Sequence, residues 1–365
     1  MRKIFCISAA VAGAMALATP ALAQSVGGEA FRGNLPDGEF DRDIGTPELP
    51  NPDAGMIPLL KVDPETMRGL PGDPAELERG FGIVSRHRDG TITETPPSDE
   101  VLDALRKGAL EKRPNPNEAA APQEGDPLFE DQAQDRAIVG EDSRIWVRDS
   151  ATYPYRTVGL LATENGTCSS TLVGPLTVVT AAHCVYSHEK GGWVKETTFY
   201  PGANGEGNFP YRGYEFEETS IMKGFIENYQ GAYGSVIPWD LAVVTLKEPA
   251  GDHVGWLGYR QNDGWDFRAY NLGYPADKPF ATMWRDICDV SGEEAIGTEY
   301  IHRCDTKPGS SGSSMYSYHR KDGNALRYVE GINVAEVDYE DPAQNYNIGV
   351  LFVGAYFDWI KSLKK

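Results

Sequence analysis

From about residue 156 to 350 the chain alternates short apolar or β-branched runs with turns rich in Gly, Asn, Asp and Pro. Stretches 156–161, 176–180, 241–246, 267–272 and 328–334 are such runs. Each is too short for a helix and rich in residues that suit a pleated, half-buried surface. They predict the strands of an all-β sandwich or barrel. Residues 353–363 carry the other period, with Tyr356, Phe357, Trp359 and Ile360 as the buried positions of a closing helix. A second amphipathic helix is predicted from Ser98 as N-cap, through Val101, Leu102 and Leu105, to Leu110.

Ahead of these elements the texture changes twice. Arg2 and Lys3, an apolar run to Ala18 and the ending Ala21-Leu22-Ala23 before Gln24 read as an export leader, residues 1–23, cut between Ala23 and Gln24. An N-terminal anchor is disfavoured, because the uninterrupted apolar stretch is short for a span and no lipidation box precedes Cys6. Residues 24–136 then hold 14 of the 25 prolines and none of the 7 Trp or 18 Tyr. Aromatic side chains dominate core burial, so the packed domain is 137–365. Stretches 47–52 and 114–127 read as extended or disordered linker.

The 54 acidic and 34 basic residues give a net charge of −20, of which −12 falls in 24–136 and −10 in 137–365, offset by Arg2 and Lys3. That balance argues against a nucleic-acid partner and against docking on an anionic membrane once the leader is gone. The four cysteines beyond the leader, Cys168, Cys184, Cys288 and Cys304, imply two disulfides in an exported chain. Three connectivities are open; local pairing, 168 with 184 and 288 with 304, would staple two hairpin-like segments. A metal site is disfavoured by the spacing.

Three motifs carry chemistry. Val178-Val179-Thr180-Ala181-Ala182-His183-Cys184 runs an apolar strand into a histidine, and Trp239-Asp240-Leu241-Ala242-Val243-Val244 opens a buried strand with an acid. Lys307-Pro308-Gly309-Ser310-Ser311-Gly312-Ser313 sets serines between glycines. A hydroxyl needs an adjacent base to attack, and the base needs an acid to hold its tautomer. The order His–Asp–Ser differs from the Ser–Asp–His order of α/β-hydrolases, and a GxSxG elbow centred on Ser311 would need glycine where Ser313 stands. His188, His253, His302 and His319 lie in polar surroundings and are expected to face solvent.

On these motifs residues 137–365 resemble trypsin-fold serine endopeptidases, and more narrowly the bacterial glutamyl endopeptidases and their trypsin-like relatives. Ile138-Val139-Gly140, Tyr153-Pro154-Tyr155, Phe199-Tyr200-Pro201-Gly202 and Gly273-Tyr274-Pro275 add to the likeness. The resemblance implies a chymotrypsin-like double β-barrel with a C-terminal α-helix, preceded by a largely disordered pro-region. The first barrel would span about 137–255, the second 256–350. It implies Ser311 as nucleophile, rather than Ser310, Ser313 or Ser314, with His183 as base and Asp240 as its partner. The N–H groups of Gly309 and Ser311 would form the oxyanion hole. No cofactor is required; the partners are protein or peptide substrates, and a monomer is expected.

The substrate-binding candidates implied are Asp305, Thr306, Asn333, Glu336 and Gly349. Asn333 stands where glutamyl endopeptidases carry a histidine, Val334 where relatives often have a hydroxyl that contacts the catalytic acid, and Glu336 where glycine is usual. An uncharged Asn cannot pair with a substrate carboxylate as an imidazolium can. Asp305, at the spacing of the acid with which trypsin selects basic residues, and Glu336 lean the reading to cleavage after Arg or Lys. Glutamyl specificity and a catalytically silent binding module are the alternatives. The likeness puts the mature start at Ala137, so 24–136 reads as a propeptide cut after Arg136, in a secreted or periplasmic protein.

Overall fold

The computed structural model describes residues 26–37, 47, 49–51, 53–108, 126, 142–261, 266–295 and 298–365. The leader, the junctions Ala23/Gln24 and Arg136/Ala137, and the expected helix end at Leu110 lie outside the described residues. Ahead of residue 142 come β1 (Val26–Gly28), β2 (Leu60–Lys61), α1 (Pro74–Gly80), β3 (Ile83–His87), β4 (Ile92–Thr95) and α2 (Asp99–Arg106). Next are β5 (Ile145–Trp146), β6 (Val158–Thr163), β7 (Gly166–Leu172), β8 (Thr177–Thr180), β9 (Tyr186–Ser187), β10 (Gly192–Trp193), β11 (Thr197–Pro201), β12 (Tyr214–Met222) and β13 (Ala242–Leu246). The second half holds β14 (Gly258–Arg260), β15 (Phe267–Gly273), β16 (Trp284–Val290), β17 (Glu299–His302), β18 (Ser314–Lys321), β19 (Asn324–Val337), β20 (Tyr346–Leu351) and the closing helix α3 (Ala355–Leu363).

Strands β11-β6-β7-β8-β13-β12 form a ring, closed by pairing of β11 with β12. Every residue of β6, β7, β8 and β13 is buried, as expected where a barrel wall has the core on one side and covering elements on the other. The second, barrel-like sheet is built on the 14-residue β19, which pairs with β18 and β20. The all-β expectation is met, and α3 buries the four residues assigned to its inner face. Cys168 pairs with Cys184 and Cys288 with Cys304, the local pairing among the three open ones. Among the described residues no helix is long and apolar enough to cross a membrane.

The sequence reading did not anticipate how much of 24–136 is built into the domain. Strand β3 pairs with β12 and carries β4 outward, so the first sheet has eight strands rather than the six of its ring. Helix α2, capped by Ser98 on the Val101 N–H, packs on α3. Phe81 is fully buried, with Trp239 at 5.2 Å and Tyr356 at 5.1 Å, both edge-on. Two buried arginines hold further described residues of this segment. Arg156 donates to the carbonyls of Arg32, Leu35 and Pro36, and Arg327 grips Asp126 through two bonds of 2.7 and 2.8 Å. Asp126 falls in a stretch expected to be linker; the prolines around it in sequence concealed an anchor made by charge.

Phe81→Ala is therefore expected to lower stability by about 3–5 kcal/mol. Urea unfolding of the full-length chain would show this as a lower midpoint at unchanged slope; a loosely attached segment would leave the midpoint where it is.

Candidate active site

His183 sits in the single turn Ala182–Cys184 that ends β8, and the Cys168–Cys184 disulfide ties that turn to β7. Asp240 follows the turn Ile237–Trp239 and precedes β13. Its two carboxylate oxygens divide their work: Oδ2 lies 2.7 Å from His183 Nδ1, and Oδ1 accepts the His183 backbone N–H at 2.9 Å. One acid thus fixes both the ring and the main chain that carries it. Asp240 is fully buried, so the pair is shielded from solvent. With Nδ1 bonded to the carboxylate, Nε2 is left as the nitrogen that meets a hydroxyl.

Ser311 comes from the other barrel, on a turn between Gly309 and Gly312, both at positive φ, 89° and 77°. At Gly312 a side chain would meet Thr180 Oγ1 at 2.1 Å and the Ser169 carbonyl at 2.4 Å, so glycine is what lets the two barrels touch here. Ser169 on β7 holds the turn from beneath. Its N–H donates to the Ser311 carbonyl at 2.9 Å and its Oγ to the Gly309 carbonyl at 2.8 Å. The Ser313 hydroxyl accepts from Asn271, and the Ser310 hydroxyl accepts the Lys307 N–H. The Ser311 Oγ and the His183 Nε2 are buried without a hydrogen-bond partner among the described residues.

The expected substrate-binding residues are placed unevenly. Asp305 does not offer a free carboxylate: its Oδ2 accepts the Ser143 N–H at 2.7 Å and the Ser143 hydroxyl at 3.0 Å, and its own N–H goes to Asp286. Burial, with Asp305 beside it, pushes the Asp286 carboxyl up to about 6. Asp305 and Asp286 thus clamp the start of the domain. Thr306 donates to Asn347, and the α-carbon of Gly349 lies under the Tyr300 ring instead of on an open floor. Burial, with Asp338 nearby, raises the Glu336 carboxyl; Lys61 opposes that shift from 3.6 Å.

Asn333 is a brace. It donates its side-chain amide to the Ser310 carbonyl at 3.2 Å, and its own carbonyl accepts the Gly312 N–H at 2.8 Å. Its Oδ1 faces His302 Nε2 at 3.0 Å. His302, expected to face solvent, is 1% exposed on β17. The polar residues around it in sequence misled, because its neighbours in space are Tyr300 and Asn333. Both groups of His and Cys close enough to suggest a metal, Cys168/His183/Cys184 and Cys288/His302/Cys304, have their sulfurs committed to disulfides.

Fold and site together define a serine protease of the chymotrypsin class. Residues 145–360 match the Trypsin family, and the chain belongs to it. It is similar to Glutamyl endopeptidase of Bacillus licheniformis, 29% identical over 50% of this chain and 55% of that protein, so the match spans little more than half of the relative. A Bacillus subtilis protein named Extracellular metalloprotease is 30% identical over 62% of this chain and 70% of its own length. Human Serine protease 23 and mouse Inactive serine protease 35 are each 26% identical over 84% and 82% of this chain, more than 137–365 holds, so that likeness runs on into the segment ahead of it. A solved Glu endopeptidase structure, in complex with MPD, superposes with a TM-score of 0.52 at 24% identity, covering 62% of this chain and 99% of that one; it shares the fold.

Burial holds the His302 imidazole down to about 4, with the bond to Asn333 opposing. Its Nδ1 has no hydrogen-bond partner among the described residues, so a second ring proton would be buried unpaired. A histidine lowered in the fold contributes stability that is whole above its unfolded value near 6.5 and lost as pH falls toward 4. Between pH 7 and pH 4.5 wild type should lose about 2 kcal/mol that His302→Gln does not lose. Paired denaturant titrations at pH 7 and pH 4.5 would check it; parallel losses in both proteins would contradict it.

Proposed function

We propose that this protein is an exported serine endopeptidase, made with a leader at 1–23 and a propeptide at 24–136 that is cut between Arg136 and Ala137. The observation that carries the reading is the doubly bonded His183–Asp240 pair with the Ser311 turn clamped across the barrel seam. In that arrangement Ser311 Oγ attacks a substrate carbonyl as His183 Nε2 takes its proton. Asp240 stabilises the imidazolium, which then protonates the departing amine. The N–H groups of Gly309 and Ser311 receive the developing oxyanion. Water repeats the sequence on the acyl-enzyme. Because Phe81 and β3 are built into the first barrel, a cut at 136 does not by itself release the propeptide; release requires β3 to unpair from β12.

For specificity, the preference for Arg or Lys rests on Glu336 with Asp338, since Asp305 is committed to Ser143. The glutamyl alternative is weakened by Asn333, whose amide is engaged with His302 and Ser310 and carries no charge. A silent binding module is supported by the name of one relative, but the intact pair and nucleophile turn speak for catalysis.

Asp240→Asn should lower kcat about 10,000-fold, and Ser311→Ala should reduce it further, to background, with circular dichroism unchanged. Cleavage of a peptide library varied at the residue before the cut would give the preference; cuts after Glu alone would overturn the basic lean. Activity unchanged by Ser311→Ala would overturn the proposal itself.

A further inference from the structure

Resting on the protease reading, we infer that the cleft is a peptide-binding site whose resident ligand is residues 55–62 of the same chain, held as an inhibitor and not as a substrate. This stretch crosses the seam between the barrels. On one side of the nucleophile, Thr167 donates its N–H to the Gly55 carbonyl at 3.0 Å and accepts the Ile57 N–H at 2.8 Å. On the other, Leu60 and Lys61 lie parallel to Ala335 and Glu336, and the Val62 N–H bonds the Glu336 carbonyl at 3.0 Å. Between these anchors the Ile57 carbonyl accepts the Gly309 N–H at 3.0 Å. That N–H is the donor a developing oxyanion would need, and a carbonyl of the chain itself now satisfies it.

Side chains complete the plug. Met56 lays its terminal methyl group against Gly309, its sulfur accepts from the Thr167 hydroxyl, and Ser311 is left with no exposed surface. Leu59 and Val62 are buried, so the stretch gains apolar contact at two more points. Lys61 places its ammonium 2.6 Å from Asp338 and 3.6 Å from Glu336, the acids argued above to choose a basic substrate side chain. The resident ligand thus offers backbone bonds, an apolar filling and one cation. A competing ligand of the same chemistry is an extended peptide with a basic residue seated on Glu336 and Asp338.

Two features keep the stretch from being cut. The carbonyl at Gly309 belongs to the bond between Ile57 and Pro58, so the nitrogen that would have to leave is a tertiary ring nitrogen. A ring nitrogen carries Cδ where an ordinary peptide nitrogen carries a proton, so it leaves only as a cyclic secondary amine. The main chain also meets β19 in parallel, with slanted bonds, at only two paired residues, so the contact is one that can be broken. The stretch is joined to α1, and through it to Phe81 and β3, which keeps its local concentration high while the chain is whole.

The test uses the full chain with Arg136→Ala, verified intact by mass, against the same chain also carrying Met56→Gly and Lys61→Glu. Turnover of a short basic peptide ester should rise about tenfold or more in the second protein. Equal turnover in the two would overturn the inference. The secreted, processed wild type serves as reference: if it turns over the ester and the strap variant does not, the inference fails and the protease reading stands. If enzyme shown by mass to have lost residues 24–136 is also inert, the protease reading itself fails and takes the inference with it. A synthetic peptide of residues 53–63 added to the processed enzyme provides a second reading that does not depend on the variant folding. It should inhibit competitively and be recovered uncut, whereas the same peptide with Lys61→Glu should inhibit about tenfold less. Rapid cleavage between Ile57 and Pro58, or equal inhibition by both peptides, would contradict the account.

Discussion

The meeting of the proposed catalytic groups depends on one backbone contact across the barrel seam: the Ser169 N–H donating to the carbonyl of Ser311. The histidine and its acid belong to the first barrel, the serine to the second, so nothing in either barrel alone brings them together. Ser169 does so from a strand whose residues are all buried, one position after the cysteine that ties the histidine's turn in place. Its hydroxyl adds a second hold, donating to Gly309 and accepting from Tyr274. Gly312 makes the approach possible, and Asn333, braced by His302, closes the far side of the turn. The site is therefore a product of docking, held by main-chain bonds that vary little with side-chain identity.

The same seam explains why the segment ahead of the domain matters. A cleft formed between two barrels is a ready groove for an extended strand, and residues 55–62 take it with the bonding pattern of a peptide ligand. Docking of that segment elsewhere is strong, through Phe81, β3 and two buried arginine anchors, while its hold on the cleft is narrow. Such a division suits a piece that supports folding of the first barrel yet must be displaced from the cleft. Residues 24–136 also carry an excess of acidic residues, −12 against −10 for 137–365.

The barrel strands and the closing helix were legible because short β-branched runs and a 3.6-residue apolar period each have a single good structural outcome. The pairing of His183 with Asp240 and the tight turn at Ser311 were legible because their flanking residues, alanines before a cysteine, a buried strand, glycines around serines, are those such a geometry requires. Asp305 and Gly349 were misjudged for the opposite reason: spacing to the serine says nothing of which neighbour claims a carboxylate, and here Ser143 and Tyr300 occupy the expected space. His302 was hidden by polar sequence neighbours that are not its spatial ones. The segment 24–136 looked unstructured for want of Trp and Tyr, yet the apolar run from Met56 to Leu60 stood out within it and was a usable signal for the cleft ligand.

The central claim, that one serine is activated by the His183–Asp240 pair, is tested most directly by reacting the processed protein with a phosphonofluoridate and mapping the adduct by mass spectrometry. The account predicts a single adduct on Ser311, lost on denaturation and in the His183→Ala protein. An adduct on Ser310, Ser313 or Ser314, or none at all on folded protein, would contradict it.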